Sequence, residues 1–326
     1  MRRRATMALV VLAVVLVGVV VLRLAVGSQG LAWPESAEVW RIRGDRVLAA
    51  VVVGAALALG GTFLQVLLRN PLASPDLIGA ASGAGLAVMA WVVLSGNGSD
   101  AAWGGAGWGG VARGVVALCG ACGTMLVVYA IAQRRGLVEP ASLLLVGVMV
   151  SVLCGAGTLL LAHLTPDRGL GVARWTVGTL TDDSPRWAVV VGLVAVVGAV
   201  VLGMWGGPTL DAATLGDDEA HALGVPIGRV RVMLFVAAGV LTALAVSIAG
   251  PVGFVGLVCP HVTRLLAGPA SRGVVVGSAI SGAALMVGAD ALVRAAELPS
   301  GRLPIGVITA LIGGPVFLVM LRGVRR

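Results

Sequence analysis

Long apolar runs alternate with short polar segments along the whole chain. A helix that crosses the hydrocarbon core of a bilayer needs about 20 mostly apolar residues. Ten runs approach that length, at about 7–26, 47–68, 77–94, 114–132, 142–164, 188–205, 230–248, 252–266, 273–293 and 304–321. The eighth run is short and contains Pro260, which predicts a broken or partly re-entrant helix. The pattern predicts an all-α polytopic membrane protein with about ten transmembrane helices.

The polar segments between these runs are short. The longest internal one, at about 206–229, is polar enough to leave the bilayer, and Gly216 and Gly224 divide it. It therefore predicts one or two short helices at the membrane surface. No segment is long enough to form a separate soluble unit, so residues 1–326 are predicted to form a single transmembrane domain.

The arginines predict the orientation of the chain, because short cytoplasmic loops carry an excess of basic residues. Placing the N-terminus inside puts more than half of the basic residues on the cytoplasmic side, and both termini then lie in the cytoplasm. The bias is modest, because the external side keeps Arg41, Arg43 and Arg46 together, as well as Arg294 and Arg302. A function other than membrane insertion is expected for them.

Composition excludes a soluble enzyme and a disordered chain. The 326 residues are 58% hydrophobic and 12% charged, with a mean hydropathy of +1.03, whereas soluble domains carry about 25% charged residues. The net charge of +8 and pI of about 11.0 would suggest nucleic acid for a soluble protein. Here membrane topology explains the arginines, so the expected surroundings are lipid and no nucleic-acid partner is predicted.

Candidate chemistry inside the predicted spans is sparse. Asp290 and Arg294 lie one helical turn apart, which allows an ion pair, and Arg23 is near enough to a span end to extend toward water. The three histidines, at 163, 221 and 261, show no metal-ligand spacing, so no metal site is predicted. The chain contains no Lys and hence no phosphate-binding loop of the Gly-rich, Lys-containing type. Any nucleotide must therefore bind to another chain.

Several more specific motifs follow one another along the sequence. The first, Arg69-Asn70-Pro71-Leu-Ala-x-Pro, follows the second apolar run. The others are Trp175-Thr-Val-Gly-Thr-Leu180, Leu215-Gly216 with Ala220 and Leu223-Gly224, Ala249 to Arg264 with Pro260-His261, Gly288-Ala-Asp290 with Arg294, and Pro304 to Phe317.

Together these motifs resemble the FecCD-like permease subunits of type II ABC importers for iron-siderophores, haem and cobalamin. The motifs extend over about 43–317, nearly the whole chain. The resemblance implies a permease domain in the cytoplasmic membrane that pairs with a second copy or a sister permease. It also implies two ATPase subunits, which bind ATP and Mg²⁺, and an extracytoplasmic substrate-binding protein. No cofactor is expected on this chain.

The resemblance assigns the external arginines to docking of the binding protein, at Arg43, Arg46 and Arg294. Arginine suits this role because it is always charged and binds carboxylates bidentately. The family's usual R-L-P-R is Arg43-Gly-Asp45-Arg46 here. Asp45 therefore introduces a carboxylate that could compete with those of the binding protein.

The resemblance assigns residues 213–225, within the segment 206–229, to coupling helices that insert into the ATPase. Leu215, Ala220 and Leu223 are expected as apolar contacts, and the acidic residues as partners of basic ATPase residues. The predicted coupling residues are Leu215, Gly216, Asp217, Asp218, Glu219, Ala220, Leu223 and Gly224.

A third group is expected to shape helix ends and cytoplasmic contacts: Arg69, Asn70, Pro71, Pro260, His261 and Arg264. The sequence thus predicts a non-enzymatic permease subunit that imports an iron-siderophore or related metal chelate. Haem and cobalamin are the alternatives within the family. An ion-coupled secondary transporter and an integral membrane enzyme are the rivals from other classes; the first would depend on Asp290, and the second needs a catalytic pair that we do not find.

Overall fold

A computed structural model describes residues 2–27, 30–95, 108–134, 137–165, 175–180, 186–296 and 303–324. Its twelve described α-helices are α1 Arg2–Ala25, α2 Ala37–Leu68, α3 Ala80–Leu94, α4 Trp108–Ala132, α5 Pro140–Leu164, α6 Arg186–Trp205, α7 Gly207–Leu215, α8 Asp217–Ala222, α9 Ile227–Ala249, α10 Val255–Ala267, α11 Ser271–Ala295 and α12 Ile305–Val324. A 3-10 helix, Pro75–Ile78, precedes α3. Two antiparallel pairs of two-residue strands join helices: β1 (Val26–Gly27) with β2 (Gly30–Leu31), and β3 (Gln133–Arg134) with β4 (Leu137–Val138). The all-α class is confirmed.

Seven helices in the described part are long and apolar enough to cross a membrane: α1, α2, α4, α5, α6, α9 and α11. Three more apolar helices, α3, α10 and the described part of α12, are shorter. Each of the ten predicted runs therefore contains a helix. The helix α2 begins ten residues before its predicted start, because the Ser36 side chain accepts a hydrogen bond from the Val39 N–H and caps it.

The helix α2 forms the centre of the bundle, where it is enclosed by α9, α10, α11 and α6. Glycine makes this packing possible. A Cβ on Gly54 would overlap the Gly282 carbonyl of α11, and one on Gly61 would overlap the Gly256 carbonyl of α10. Small residues allow such close approach between membrane helices, which associate through packing rather than through exclusion of water. The helices α1 and α5 are mostly exposed and lie outside this centre.

Three non-helical segments meet inside the bundle. The chain leaves α2 at Arg69, whose backbone is left-handed (φ 48°), and reaches α3 through the 3-10 helix. Between α9 and α10 it turns at Gly250 to Phe254. The segment 175–180 packs against this turn, where the Thr179 N–H donates to the Ala249 carbonyl at 2.7 Å.

The two ends of the bundle are distinguished by the residues at the two ends of α2. Arg46 lies near its beginning and contacts Asp290, and Arg69 follows its last residue and contacts Asp217. The intervening 23 residues correspond to roughly 35 Å of helix. We call these the Asp290 end and the Asp217 end.

Candidate functional site

At the Asp217 end, one aspartate joins three elements. The Asp217 Oδ1 accepts a hydrogen bond from Arg69 Nη2 at 2.5 Å and from Arg231 Nη2 at 2.7 Å. Arg69 Nε also donates to the Ala213 carbonyl at 2.9 Å. The Asp217 cluster (Arg69, Asp217 and Arg231) therefore ties α7 and α8 to the end of α2 and the beginning of α9.

The two arginines of the cluster lower the pKa of Asp217. Partial burial raises the pKa of the Asp217 carboxyl, but the hydrogen bonds and positive charges of Arg69 and Arg231 outweigh burial and lower it below its usual 3.8. The carboxylate is consequently ionised at neutral pH. The expectation that Asp217 meets basic residues of another chain needs refinement, because its own chain already supplies two.

The local sequence explains the shape of the segment between α6 and α9. Gly216 is extended and separates α7 from α8, with the Glu219 carboxylate against its Cα. The helix α8 ends at Ala222, and two residues later the left-handed φ of Gly224 (76°) places the Val225 N–H on the Ala220 carbonyl at 2.9 Å. This is the Schellman ending that glycine favours. The two short helices expected from the sequence are thus present.

The apolar residues of this segment divide into two kinds. Leu215 and Leu223 are 62% and 63% exposed, whereas Ala220 is fully buried in its own chain. Asp218 and Glu219 are exposed. The exposed leucines and acids can form a contact surface, but Ala220 cannot, because its side chain packs the segment onto the bundle. This corrects the expected role of Ala220.

The residues of the third predicted group lie at the same end. The Asn70 side chain accepts a hydrogen bond from the Leu72 N–H at 2.9 Å, which forms the turn after α2, and Pro71 is exposed in that turn. Pro260 is buried inside α10, and His261 beside it is half-buried. The role of these residues in shaping helix ends and cytoplasmic contacts stays a prediction.

Sequence reasoning missed Gln65, which lies next to this group. Its side-chain oxygen accepts a short hydrogen bond from Arg264 Nη1, and its nitrogen donates to the carbonyls of Ala73 and Gly256 at 3.3 and 3.4 Å. The sequence signal for this residue was a glutamine within an apolar run, four residues before Arg69. The Gln65 side chain joins the end of α2 to α10.

At the Asp290 end, one buried aspartate also lies between two arginines. Arg46 donates to Asp290 Oδ1 from Nη2 at 2.8 Å and from Nε at 3.0 Å, and Arg23 Nε donates to Oδ2. We call Arg23, Arg46 and Asp290 the Asp290 cluster; it joins α1, α2 and α11. Arg46 is only 5% exposed and Arg23 only 2%. This corrects two expectations: Arg23 does not extend toward water, and Arg46 does not offer an exposed guanidinium.

The other residues at the Asp290 end are more accessible. Arg43 is partly exposed and donates to the carbonyls of Leu24 and Ala32, at 2.5 and 2.8 Å. Arg294, on α11, is also partly exposed. Asp45 pairs with Arg186 at 2.8 Å, so its carboxylate is already engaged beside Arg43.

A cavity of about 560 Å³ lies where the three non-helical segments meet. Small and apolar residues form most of its wall, and the hydroxyls of Ser82, Ser151, Thr158 and Thr176 are set among them. One ionisable residue, Asp76 of the 3-10 helix, also lines it. Sequence reasoning overlooked Asp76 because it follows the Pro-containing turn rather than an apolar run. Among the described residues, no group of three or more His, Cys, Asp or Glu could hold a metal ion.

Comparison with known proteins agrees with this architecture. The model of the FecCD transport family matches residues 5–323. The cobalamin import permease BtuC of Halobacterium salinarum is 39% identical over 295 residues, covering 89% of this chain and 75% of that protein. The haemin transport permease HmuU of Yersinia pestis is 35% identical, with 87% and 83% covered.

A solved structure has the same fold over the full length. It is described as an inward-facing conformation of a metal-chelate type ABC transporter and superposes with a TM-score of 0.81 at 27% identity. The match covers 98% of this chain and 99% of the other. The family match, the relatives and the helical bundle show that this chain is a multi-pass inner-membrane protein and a permease of the FecCD transport family of ABC importers.

Proposed function

We propose that this permease imports an iron-siderophore or a related metal chelate across the cytoplasmic membrane. Permeases of this family work with ATPase and substrate-binding partners. The relatives are named as permeases for cobalamin and haemin, and the solved neighbour is of the metal-chelate type. These cargoes are bulky metal complexes, and a cavity with a mostly small and apolar wall suits the passage of such a cargo.

The observation that carries the proposal is the Asp217 cluster. It joins the segment 206–229 to α2 and α9, two of the most enclosed membrane-spanning helices. The segments that follow α2 and α9 line the cavity. A movement imposed on α7 and α8 would therefore be transmitted to the walls of the pathway. In this proposal the exposed Leu215, Leu223, Asp218 and Glu219 contact the ATPase, and the Asp217 end with both termini faces the cytoplasm.

The Asp290 end is proposed to face the binding protein. Arg43 and Arg294 supply accessible guanidinium groups for its carboxylates, and Arg46 supports them from its buried pair with Asp290. Two such permeases, either identical copies or sisters, would enclose the pathway, and residues 1–326 would act as one transmembrane domain. Two separate ATPase subunits would bind ATP and Mg²⁺, so this chain catalyses no reaction.

Haem or cobalamin is the second candidate cargo, because the named relatives carry these molecules. An ion-coupled secondary transporter would need an acid that is free to exchange protons or Na⁺ ions. Asp290 does not fit that need, because two arginines hold its carboxylate.

Uptake of labelled chelates into cells with and without the partner ATPase tests the proposal. We expect uptake of a ferric siderophore to be lost when the ATPase is deleted and restored when it is supplied again. Uptake that continues without the ATPase would refute an ATP-driven importer. Thermal stabilisation of the purified binding protein by ferric siderophore, haemin or cobalamin would then identify the cargo.

A further inference from the structure

The cavity places one carboxylate inside a nearly uncharged wall. Asp76 is surrounded by protein, yet part of its surface stays accessible because it lines the cavity. The Ser74 hydroxyl donates to its Oδ2 at 3.1 Å. Within the described ranges, Asp76 forms no ion pair with an arginine or histidine of its own chain. It thus differs from Asp217 and Asp290, which each have two arginine partners.

The position of Asp76 lies within the bundle rather than at its surface. The helices α3 and α10 have 15 and 13 residues, or roughly 22 and 20 Å, less than the roughly 30 Å of the hydrocarbon core. Gly60 and Gly61 of α2 lie against Pro75 and Gly256. The 3-10 helix that holds Asp76 and the start of α10 therefore lie roughly 11 Å inside the end of α2, at membrane depth. Non-helical backbone is tolerated there only where it is buried in protein or lines a water-filled cavity. In transporters, substrate contacts concentrate at such interrupted helices.

A charge at this depth requires a partner. Ionisable side chains are costly inside a membrane protein and mark pathways for substrates or ions. The side chains around Asp76 supply hydroxyls but no cation among the described residues. The cavity volume of about 560 Å³ falls within the roughly 300–1,000 Å³ of sites for small molecules. The missing partner can therefore be a group on the cargo.

We propose that Asp76 is a specificity-determining residue of this permease and that it contacts a protonated amine on the passing chelate. The carboxylate would accept a charge-assisted hydrogen bond from the ammonium group, and the serine and threonine hydroxyls would contact neighbouring polar atoms. A chelate without that cation passes less readily, and an anionic chelate is repelled. This inference rests on the proposed import of a metal chelate.

Two ferric chelates that differ in a single charge test the role. A linear ferric trihydroxamate with a free terminal amine is compared with its N-acetylated derivative. The importer, with its own ATPase and binding protein, is reconstituted in proteoliposomes, and ATP-driven uptake of each is measured. Because the binding protein is the same throughout, a change in the uptake ratio between permease variants reports on the permease.

We expect the wild type to favour the amine form and Asp76→Asn to lower the amine-to-acetyl uptake ratio at least threefold. Asp76→Ser tests the same loss of charge if the asparagine variant does not assemble. Glu139→Gln is the matched control. It removes an exposed carboxylate at the start of α5, bound to Ser142, and should leave the ratio unchanged.

The outcomes separate the two proposals. ATP-driven uptake with the wild-type ratio in Asp76→Asn or Asp76→Ser overturns the specificity role and leaves the proposed function intact. A wild-type importer that prefers the acetylated chelate also overturns the role. Uptake of neither chelate by the wild type, beside ATP-driven uptake of haemin or cobalamin, overturns the siderophore as cargo and the specificity role with it.

Discussion

The Asp290 cluster and the Asp217 cluster have the same composition but opposite surroundings. Each places one aspartate between two arginines; the Asp290 cluster joins three helices, and the Asp217 cluster joins four. The side chains of Arg46 and Asp290 are 5% and 1% exposed, whereas those of Arg69 and Asp217 are 28% and 48% exposed. Charges in the first cluster are removed from water. In the second, the Asp217 carboxylate stays about half exposed, although Arg231 is only 12% exposed.

Burial decides what each cluster can do. Removing one member of a buried ion pair leaves an uncompensated charge and costs about 3–5 kcal/mol, whereas exposed ion pairs contribute about 0–1 kcal/mol. The Asp290 cluster therefore acts as a structural connection among α1, α2 and α11. The Asp217 cluster adds little stability, so we infer that its value lies in holding α7 and α8 in one orientation.

The largest expected effect is that of Asp290→Ala. It leaves two buried guanidinium groups without their carboxylate, so we expect a loss of about 3–5 kcal/mol of stability. Thermal unfolding of the purified protein in detergent measures it. Asp217→Ala is the matched comparison, with an expected loss below about 1 kcal/mol. Equal losses in the two variants would show that burial does not distinguish the clusters.

A second change tests whether charge or shape matters at Asp290. Replacing the whole cluster by apolar residues (Arg23→Leu, Arg46→Met and Asp290→Leu) removes the buried charges together. Because buried ion clusters can be replaced by packed apolar side chains at little cost, we expect the triple variant to regain most of the stability lost in Asp290→Ala. A triple variant less stable than the single one would contradict this.

Breaking the Asp217 cluster should affect transport rather than folding. We expect Arg231→Ala to lower uptake per ATP hydrolysed about tenfold, roughly 1.4 kcal/mol of coupling, because α8 loses its connection to α9. Uptake and ATP hydrolysis are measured in the same proteoliposomes. Arg229→Ala is the control: it removes an exposed arginine of the same helix and should leave the ratio unchanged. An equal decrease in both variants would exclude a specific role for the cluster.

The segment 206–229 can also be disturbed through its buried Ala220. Ala220→Arg puts a long cation where the side chain is fully buried, so we expect α8 to detach and uptake to uncouple from ATP hydrolysis. Leu223→Arg changes an exposed position instead. It should leave the thermal stability of the permease unchanged and weaken its binding to the ATPase. Normal uptake in both variants would remove the assignment of the segment to coupling.

The smallest expected effect is that of pH on the Asp217 cluster. The arginines lower the pKa of Asp217 below its usual 3.8. The stabilisation is therefore present above that ordinary value and is lost only as pH falls through the lowered one. Between pH 5 and 8 the protonation state of Asp217 should not change. We therefore expect the pH profiles of uptake per ATP hydrolysed to be parallel in the wild type and in Asp217→Asn. A decrease in uptake per ATP within this pH range that occurs in the wild type but not in Asp217→Asn would contradict the lowered pKa of Asp217.

Much of the fold follows from local patterns. The apolar runs predict the helices because a segment in lipid must satisfy its own backbone hydrogen bonds. The glycines at 216 and 224 predict the ends of α7 and α8 through backbone geometry. The turn after α2 is equally local, because Asn70 binds the backbone two residues later.

The clusters could not be predicted in this way, because their members are far apart in the chain. Asp290 lies 244 residues from Arg46 and 267 from Arg23. Asp217 lies 148 residues from Arg69. From the sequence, Arg46 and Arg43 look alike, three residues apart on one helix; only packing buries the first. Asp76 follows a Pro-containing turn and gave no local signal, and the cavity that it lines is formed by segments distant in sequence.

Hydropathy identified the helices and the surface segment of this protein without any tertiary information. It could not say which helix lies at the centre, because lipid and protein interior are equally apolar; by that measure the exposed α1 is even more apolar than the buried α2. Burial of α2 depends on glycines of α10 and α11 that let other backbones approach it. The same packing divides three aspartates into a buried connection, a half-exposed connection and a residue that faces the cavity.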